Sequence, residues 1–285
     1  MTIRRLTAVL CLTCLVSPAV ANDWRPLLDQ DLSQWEVWLG VPHTSLPIEW
    51  DGKSEDGKQG KPLGLGDRLG VFAVEDVDGE PVLRVSGEIY AGLTTLEEFE
   101  DYHLTCEVQW GEKKYAPRLN VRRDSGILYH CVGPHGKFWN VWMQCLECQV
   151  QERDFGDLFQ LGGTSSRVRG FFKGQAKRPT YAADSGFVND GKLTGTAVQR
   201  SRDLEKPHGE WTRIDVYVLG DKAVHVVEGE PVMAVEDAHA RIDGKRVPLT
   251  RGKIQLQSEG AEVSYRDVKL RPIAEFPDGV WPAAD

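Results

Sequence analysis

A single acid, Glu147, stands inside an otherwise apolar and amide-rich run, W-N-V-W-M-Q-C-L-E-C-Q-V-Q, and is followed at alternate positions by Gln149 and Gln151. Successive side chains of an extended chain point to opposite faces, so Glu147, Gln149 and Gln151 share one face while Cys148 and Val150 take the other. An acid in the middle of a central strand is costly to bury without a task. Glu147 is therefore the leading candidate for acid–base chemistry. Upstream, R-D-S-G-I-L-Y-H-C places Asp124, Gly126, Leu128 and His130 on one face, opposite Ser125, Ile127 and Tyr129. His130 is a second candidate base. A G-P-H-G turn at 133–136 joins the two extended segments, residues 125–132 and 141–152, and crowds His135, Trp139 and Trp142 into the same stretch. A hydroxyl-rich ligand such as a sugar suits this set. Arg123, Asp124, His135, Gln149 and Gln151 would engage hydroxyls, and Trp139 or Trp142 would stack on the apolar face of the ring. The structural counter-reading is a solvated sheet face. In it Trp142 and His130 belong to the core, Asp124 builds a turn and Arg123 is a surface ion-pair partner.

These strands must be carried by a scaffold, and the sequence points to an all-β one. Residues 102–110 alternate, with Tyr102, Leu104, Cys106, Val108 and Trp110 on a core face and His103, Thr105, Glu107 and Gln109 on the other. Similar short strands are expected at 71–74, 81–86, 92–95, 209–219, 223–227, 252–258 and 263–270, with turns between them. The acidic patch at 97–101 reads as one helical turn. Residues 42–70 read as a long surface loop, and residues 155–206 as a partly irregular excursion of weak periodicity. Many short strands in about 264 residues indicate one jelly-roll β-sandwich domain spanning 22–285.

The first 21 residues read as a cleaved signal peptide. Arg4 and Arg5 form the positive region, residues 6–16 the apolar region, and Ala19-Val20-Ala21 the cleavage site. The expected location is exported, periplasmic or secreted, with no membrane attachment after cleavage. The mature chain keeps 32 basic against 43 acidic residues, a net charge of about −11. Clustered positive charge is what nucleic acid and anionic membranes require, so neither is an expected partner. Four cysteines remain, Cys106, Cys131, Cys145 and Cys148. A lone C-x-x-C inside a strand fits buried thiols or one structural disulfide better than a zinc or redox site.

Taken together, these pieces make the chain resemble the 3-keto-disaccharide (3-keto-glycoside) hydrolase family, formerly known only as a domain of unknown function. The matching stretches are L-L-D-Q-D-L-S-Q-W near the start, S-G-E-I-Y-A-G-L-T-T at 86–95, and R-D-S-G-I-L-Y-H-C at 123–131. They continue with E-C-Q-V-Q at 147–151, G-E-W-T-R-I-D-V at 209–216, and I-Q-L-Q-S-E-G-A-E-V-S-Y-R-D-V at 254–268. One departure is the turn after the H-V strand, usually N-G in the family and here Glu228-Gly229. The resemblance implies a concanavalin A-like jelly roll of two antiparallel sheets and a carbohydrate, specifically keto-sugar, ligand.

The residues bear on the reaction as well. Ordinary glycoside hydrolysis needs two carboxylates, whereas Glu147 is followed on its face by amides, and Glu152 falls on the opposite face. A 3-keto sugar relaxes that need, because the ketone acidifies the hydrogen on C2. One base can then remove it, the group at C1 leaves by elimination, and water adds to the product. Glu147 or His130 would be the base, and Arg123, His135 or a bound divalent cation would stabilise the enolate. The other expectation is a non-catalytic, lectin-like sugar-binding protein of the same fold.

Overall fold

The computed structural model describes residues 24–190 and 197–282; the expected signal segment, 1–21, lies outside the described residues. Among these residues there is no helix, and every strand pairing is antiparallel. The smaller sheet has seven strands. From one edge they run Leu158–Leu161, Gln144–Gln149, Gly126–Val132, Lys253–Ser258, Ala91–Thr95, Trp35–Leu39 and Gly64–Leu65. The larger, 12-stranded sheet centres on Thr212–Leu219, Tyr102–Lys114 and Ala261–Pro272. The two are packed as the sandwich of a jelly roll.

Period-two alternation decides which side chains meet between the sheets. Tyr102, Leu104, Cys106, Val108 and Trp110 of the larger sheet face Ile127, Tyr129, Leu146, Cys148, Ile254 and Leu256 of the smaller one in a single apolar core. Within it the Tyr129 hydroxyl hydrogen-bonds the imidazole of His225 at 2.9 Å, which keeps a buried polar group satisfied. The alternate residues of the smaller sheet necessarily face away from the core. These are Gly92 and Thr94, Gly126 and Leu128, Cys145, Glu147 and Gln149, and Gln255 and Gln257, brought into line by the registers Leu128↔Glu147, Gly126↔Gln149 and Leu128↔Gln255.

Two expectations are corrected. Residues 97–101 form no helical turn: Phe99 exchanges backbone hydrogen bonds with Gly252 at 2.8 and 3.1 Å, so the segment is extended. The supposed excursion at 155–206 contributes true strands, Leu158–Leu161 in the smaller sheet and Thr164–Phe171 in the larger. Its weak apolar period has a physical cause. The inner positions of Thr164–Phe171 include Thr164 and Ser166, whose hydroxyls are satisfied by the Cys145 carbonyl at 2.8 Å and by Gln160 at 3.1 Å. Cys106, Cys131, Cys145 and Cys148 are all buried free thiols.

Candidate functional site

The outward face of the smaller sheet is not left open to solvent. The segment after the G-P-H-G turn folds back over it, and Tyr90, Leu128, Cys131, Val141, Trp142, Met143, Cys145 and Leu161 form a second apolar cluster there. The backbone N–H of Met143 donates to the Gln255 side-chain carbonyl at 3.0 Å, and the Trp142 indole donates to the Ala91 carbonyl at 3.3 Å. Trp142 is therefore a buried wall of the site. Trp139 is the exposed aromatic, at 38% of its surface.

Beside this wall, three acids converge on one guanidinium. Asp124 lies two residues before its strand, Glu147 in the middle of Gln144–Gln149, and Glu259 in the turn leaving Lys253–Ser258. All three are buried. Arg118 contacts Asp124 at 2.6 Å and Glu259 at 3.3 Å, and Gln151 donates to the same Asp124 oxygen, Oδ2. Asp124 Oδ1 has no partner among the described residues. Two glycines make the assembly possible. A Cβ on Gly126 would lie 2.1 Å from Glu147 Oε1 and 2.7 Å from Gln257 Oε1, so the Glu147 carboxyl occupies the hollow above that glycine. Gly260, at φ +75°, lets the Arg118 stem cross directly over the backbone.

One guanidinium cannot balance three buried carboxylates, so protons must make up the difference. Burial pushes Asp124 up from its usual 3.8 to about 6, against the pull of Arg118 and the Gln151 hydrogen bond. Burial, reinforced by the negative charge of Asp124, holds Glu147 well above its usual 4.5, and the same two causes hold Glu259 up. Burial opposes the charge on Arg118, but Asp124 and Glu259 outweigh it and keep the guanidinium ionised. The carboxyl held up least, Asp124 at about 6, is thus the readier base, beside two acids held well above the usual carboxylate value.

Other cations border the cluster. Lys58, from the long loop, sits 3.4 Å from the centre of the Trp139 ring and feels Glu259 and Asp124. Arg122 pairs with Asp154 at 2.6 Å, and Arg200 pairs with Asp154 and Asp157 at 3.3 and 3.0 Å. A shallow hollow of about 640 Å³ lined by Arg118, Arg122, Gln151 and Glu152 opens at this edge. Among the described residues no group of three or more His, Cys, Asp and Glu side chains is arranged to hold a metal ion.

The residues singled out from sequence divide into those drawn together and those held apart. Asp124, Glu147 and Gln151 meet in the cluster, with Trp139 and Trp142 beside it. Gln149 is turned back on its own chain, its carbonyl accepting from the N–H groups of Val150 and Gln151 at 2.8 and 3.1 Å. Arg123 is engaged by Glu152 at 2.7 Å, on the rim. His135 lies apart, stacked on Trp38 and hydrogen-bonded to Glu36 at 3.1 Å. His130 departs from strict alternation. It adopts φ +52° in a bulge that hands the outer-face position to Cys131, and neither ring nitrogen has a partner among the described residues. Burial alone drives it from 6.5 to about 4, so it is neutral. Sequence reasoning missed Arg118, Glu259, Tyr90, Gln257 and Lys58. Glu259 and Tyr90 do fall inside the family-like stretches, whereas the loop residues Arg118 and Lys58 carry no local signal.

A jelly-roll sandwich bearing a buried carboxyl cluster on the outer face of its smaller sheet defines the class. The chain belongs to the 3-keto-alpha-glucoside-1,2-lyase-like domain family, whose model matches residues 23–271. No curated protein matches it. Among solved structures, it is similar to a protein from Parabacteroides distasonis provisionally described as a glycosyl hydrolase. That likeness covers 88% of this chain and 100% of the other at 15% identity, with a TM-score of 0.47. The alginate lyase AlyC3 is matched over 84% and 89% at 14% identity and a TM-score of 0.42. A carbohydrate-binding module from Bacillus subtilis is matched over 70% and 91% at 10% identity and a TM-score of 0.41. At such scores these likenesses say nothing about the site, which rests on its own geometry.

Proposed function

We propose that this protein is an exported carbohydrate-active enzyme that cleaves 3-keto glycosides by elimination followed by hydration. The observation that carries the reading is the cluster of three buried carboxyls around Arg118, each held above its ordinary range. Elimination across C1 and C2 of a sugar needs a base and an acid within reach of one another. A base removes the C2 proton, and the electron pair of that C–H bond forms the enolate of the C3 ketone. The enolate collapses to restore the ketone and make a C1–C2 double bond, the C1–oxygen bond breaks, and the leaving oxygen takes a proton from an acid. Water then adds its oxygen to C1 and a proton to C2, for net hydrolysis. Asp124 is the base in this account: ionised at pH 7, near the ideal for its task, with Oδ1 unpartnered. Glu147 donates the proton, and the exposed Trp139 offers the apolar face for the sugar, with Tyr90 and Trp142 buried behind it. The family description, which names a 1,2-lyase, agrees in kind with elimination at these two carbons.

The chemistry is tested by running the reaction in deuterated water and stopping it early. Elimination and rehydration place a solvent deuterium on C2 of the released 3-keto sugar, above the slow exchange seen without protein. A product that keeps hydrogen at C2 while cleavage proceeds would show direct displacement at C1 and exclude this mechanism.

A further inference from the structure

The cations around the cluster are mostly spoken for. Arg118 is committed to Asp124 and Glu259, Arg122 to Asp154, Arg123 to Glu152, and Lys253 with His135 to Glu36. Lys58 differs. Among the described residues its ammonium has no carboxylate within 4.0 Å; it rests on the face of Trp139 at 3.4 Å, with the Tyr90 ring 6.0 Å away. The backbone beneath it is fixed on both sides. Its N–H and that of Gln59 donate to Asp56 at 2.8 and 2.9 Å, and its carbonyl accepts from the Asn140 side chain at 2.7 Å. Asn140 is the neighbour of Trp139, so one hydrogen bond ties the lysine loop to the aromatic platform. The backbone is thus tied on both sides, and the four-carbon stem carries the ammonium away from it.

We infer that Lys58 is the group that binds the substrate's ketone oxygen and carries its negative charge as the enolate forms, resting on Trp139 until a sugar takes that face. This inference rests on the keto-glycoside reading given above. A pyranose stacked on the exposed face of Trp139 occupies the space the ammonium now fills, so the ammonium must leave the ring. The stem lets it reach the edge of the sugar, where the ketone lies one bond from the carbon losing its proton. A weak cation–π contact is thereby exchanged for a charge-assisted hydrogen bond that strengthens as charge moves onto oxygen, which is the differential that accelerates a reaction. Burial already depresses the ammonium below its ordinary value, with Glu259 pulling the other way, so it has few waters to give up on meeting the enolate. Arg123 and His135, the cations expected from sequence to do this work, are engaged elsewhere.

The test compares Lys58→Met and Lys58→Arg with the unaltered protein in two assays. One is turnover of a 3-keto aryl glucoside; the other is binding of the unoxidised aryl glucoside, followed by tryptophan fluorescence. Removing one preorganised donor to a developing oxyanion lowers kcat about 10²–10³-fold. Lys58→Met should show that loss with glucoside binding within about threefold of the parent, and Lys58→Arg, which keeps the charge, should recover at least a tenth of the lost rate. Unchanged turnover in Lys58→Met overturns the inference and leaves the keto-glycoside reading standing. Equal losses of turnover and glucoside binding also overturn it, because Lys58 would then only shape the groove. If the unaltered protein turns over no keto glucoside, the underlying reading fails first, and that arm is read before the variants.

Discussion

Replacing Glu147 with glutamine tests the electrostatics of the cluster in a measurement that needs no substrate. The side chain is buried beside Asp124 and shares a hydrogen bond with Gln257, and both burial and the neighbouring charge hold its proton on. The sign follows from linkage. A carboxyl whose folded-state pKa is raised above its unfolded value favours the folded protein at low pH, and that advantage is lost as pH rises above the unfolded value of 4.5. The cost grows by about 1.4 kcal/mol for each pH unit above 4.5 over which the folded side chain keeps its proton, and vanishes near pH 4. Glu147→Gln has nearly the same shape and nothing to ionise. Relative to the parent it should therefore gain stability steadily as pH rises from 4 towards 7, each kcal/mol gained being about 2–4 °C in Tm for a domain of this size. The assay is urea unfolding at half-unit steps of pH, comparing the difference between the two proteins at each. Any constant offset from altered packing drops out. Parallel curves, with a difference constant to about 0.5 kcal/mol, would mean that Glu147 ionises as it does in water and would refute the charge balance proposed for the cluster.

Three further outcomes follow from the same geometry. Arg118→Met strands Asp124 and Glu259 in the interior, and its unfolding free energy at pH 7 should drop by about 3–5 kcal/mol, measured by urea titration; a loss under 1 kcal/mol would mean the acids are already neutral without it. Gly126→Ala drives a methyl against a carboxyl oxygen that now lies 2.1 Å from its position. It should cost about 1–3 kcal/mol and most of the turnover, and a variant with parental rate would show that Glu147 need not lie over Gly126. His130, held near 4 by burial from a usual 6.5, favours the folded state above pH 6.5, and this stability is lost as pH falls towards 4. His130→Leu removes two unpartnered nitrogens and should flatten that acid limb by up to about 3 kcal/mol at pH 4; an unaltered acid limb would show that His130 is not held neutral.

Local sequence carried much of this architecture, because alternation is a backbone property that tertiary context rarely reverses over a long strand. The core face of Tyr102–Lys114 and the shared outward face of Glu147 and Gln149 were legible for that reason. Where a single residue with positive φ resets the alternation, as at His130, the period misplaces everything after it. Thr164–Phe171 was hidden because its core-facing hydroxyls are satisfied by hydrogen bonds rather than by being apolar. The site was half legible. Asp124, Glu147 and Gln151 lie on or beside two paired strands, so strand geometry brings them together. Arg118, Lys58 and Glu259 arrive from loops and turns distant in sequence, and only the closed sandwich sets them against the strands. The choice among cations depended on partners that no spacing rule reveals: Glu152 takes Arg123 and Glu36 takes His135.

The central claim is tested most directly by turnover of a 3-keto aryl glucoside beside its unoxidised parent, with and without chelator, using the purified protein and its Asp124→Asn variant. The account predicts cleavage of the keto glucoside alone, falling at least a hundredfold in the variant, while the parent glucoside is bound and left intact. Cleavage of both glucosides at comparable rates, or cleavage that survives loss of the Asp124 carboxylate, would contradict it.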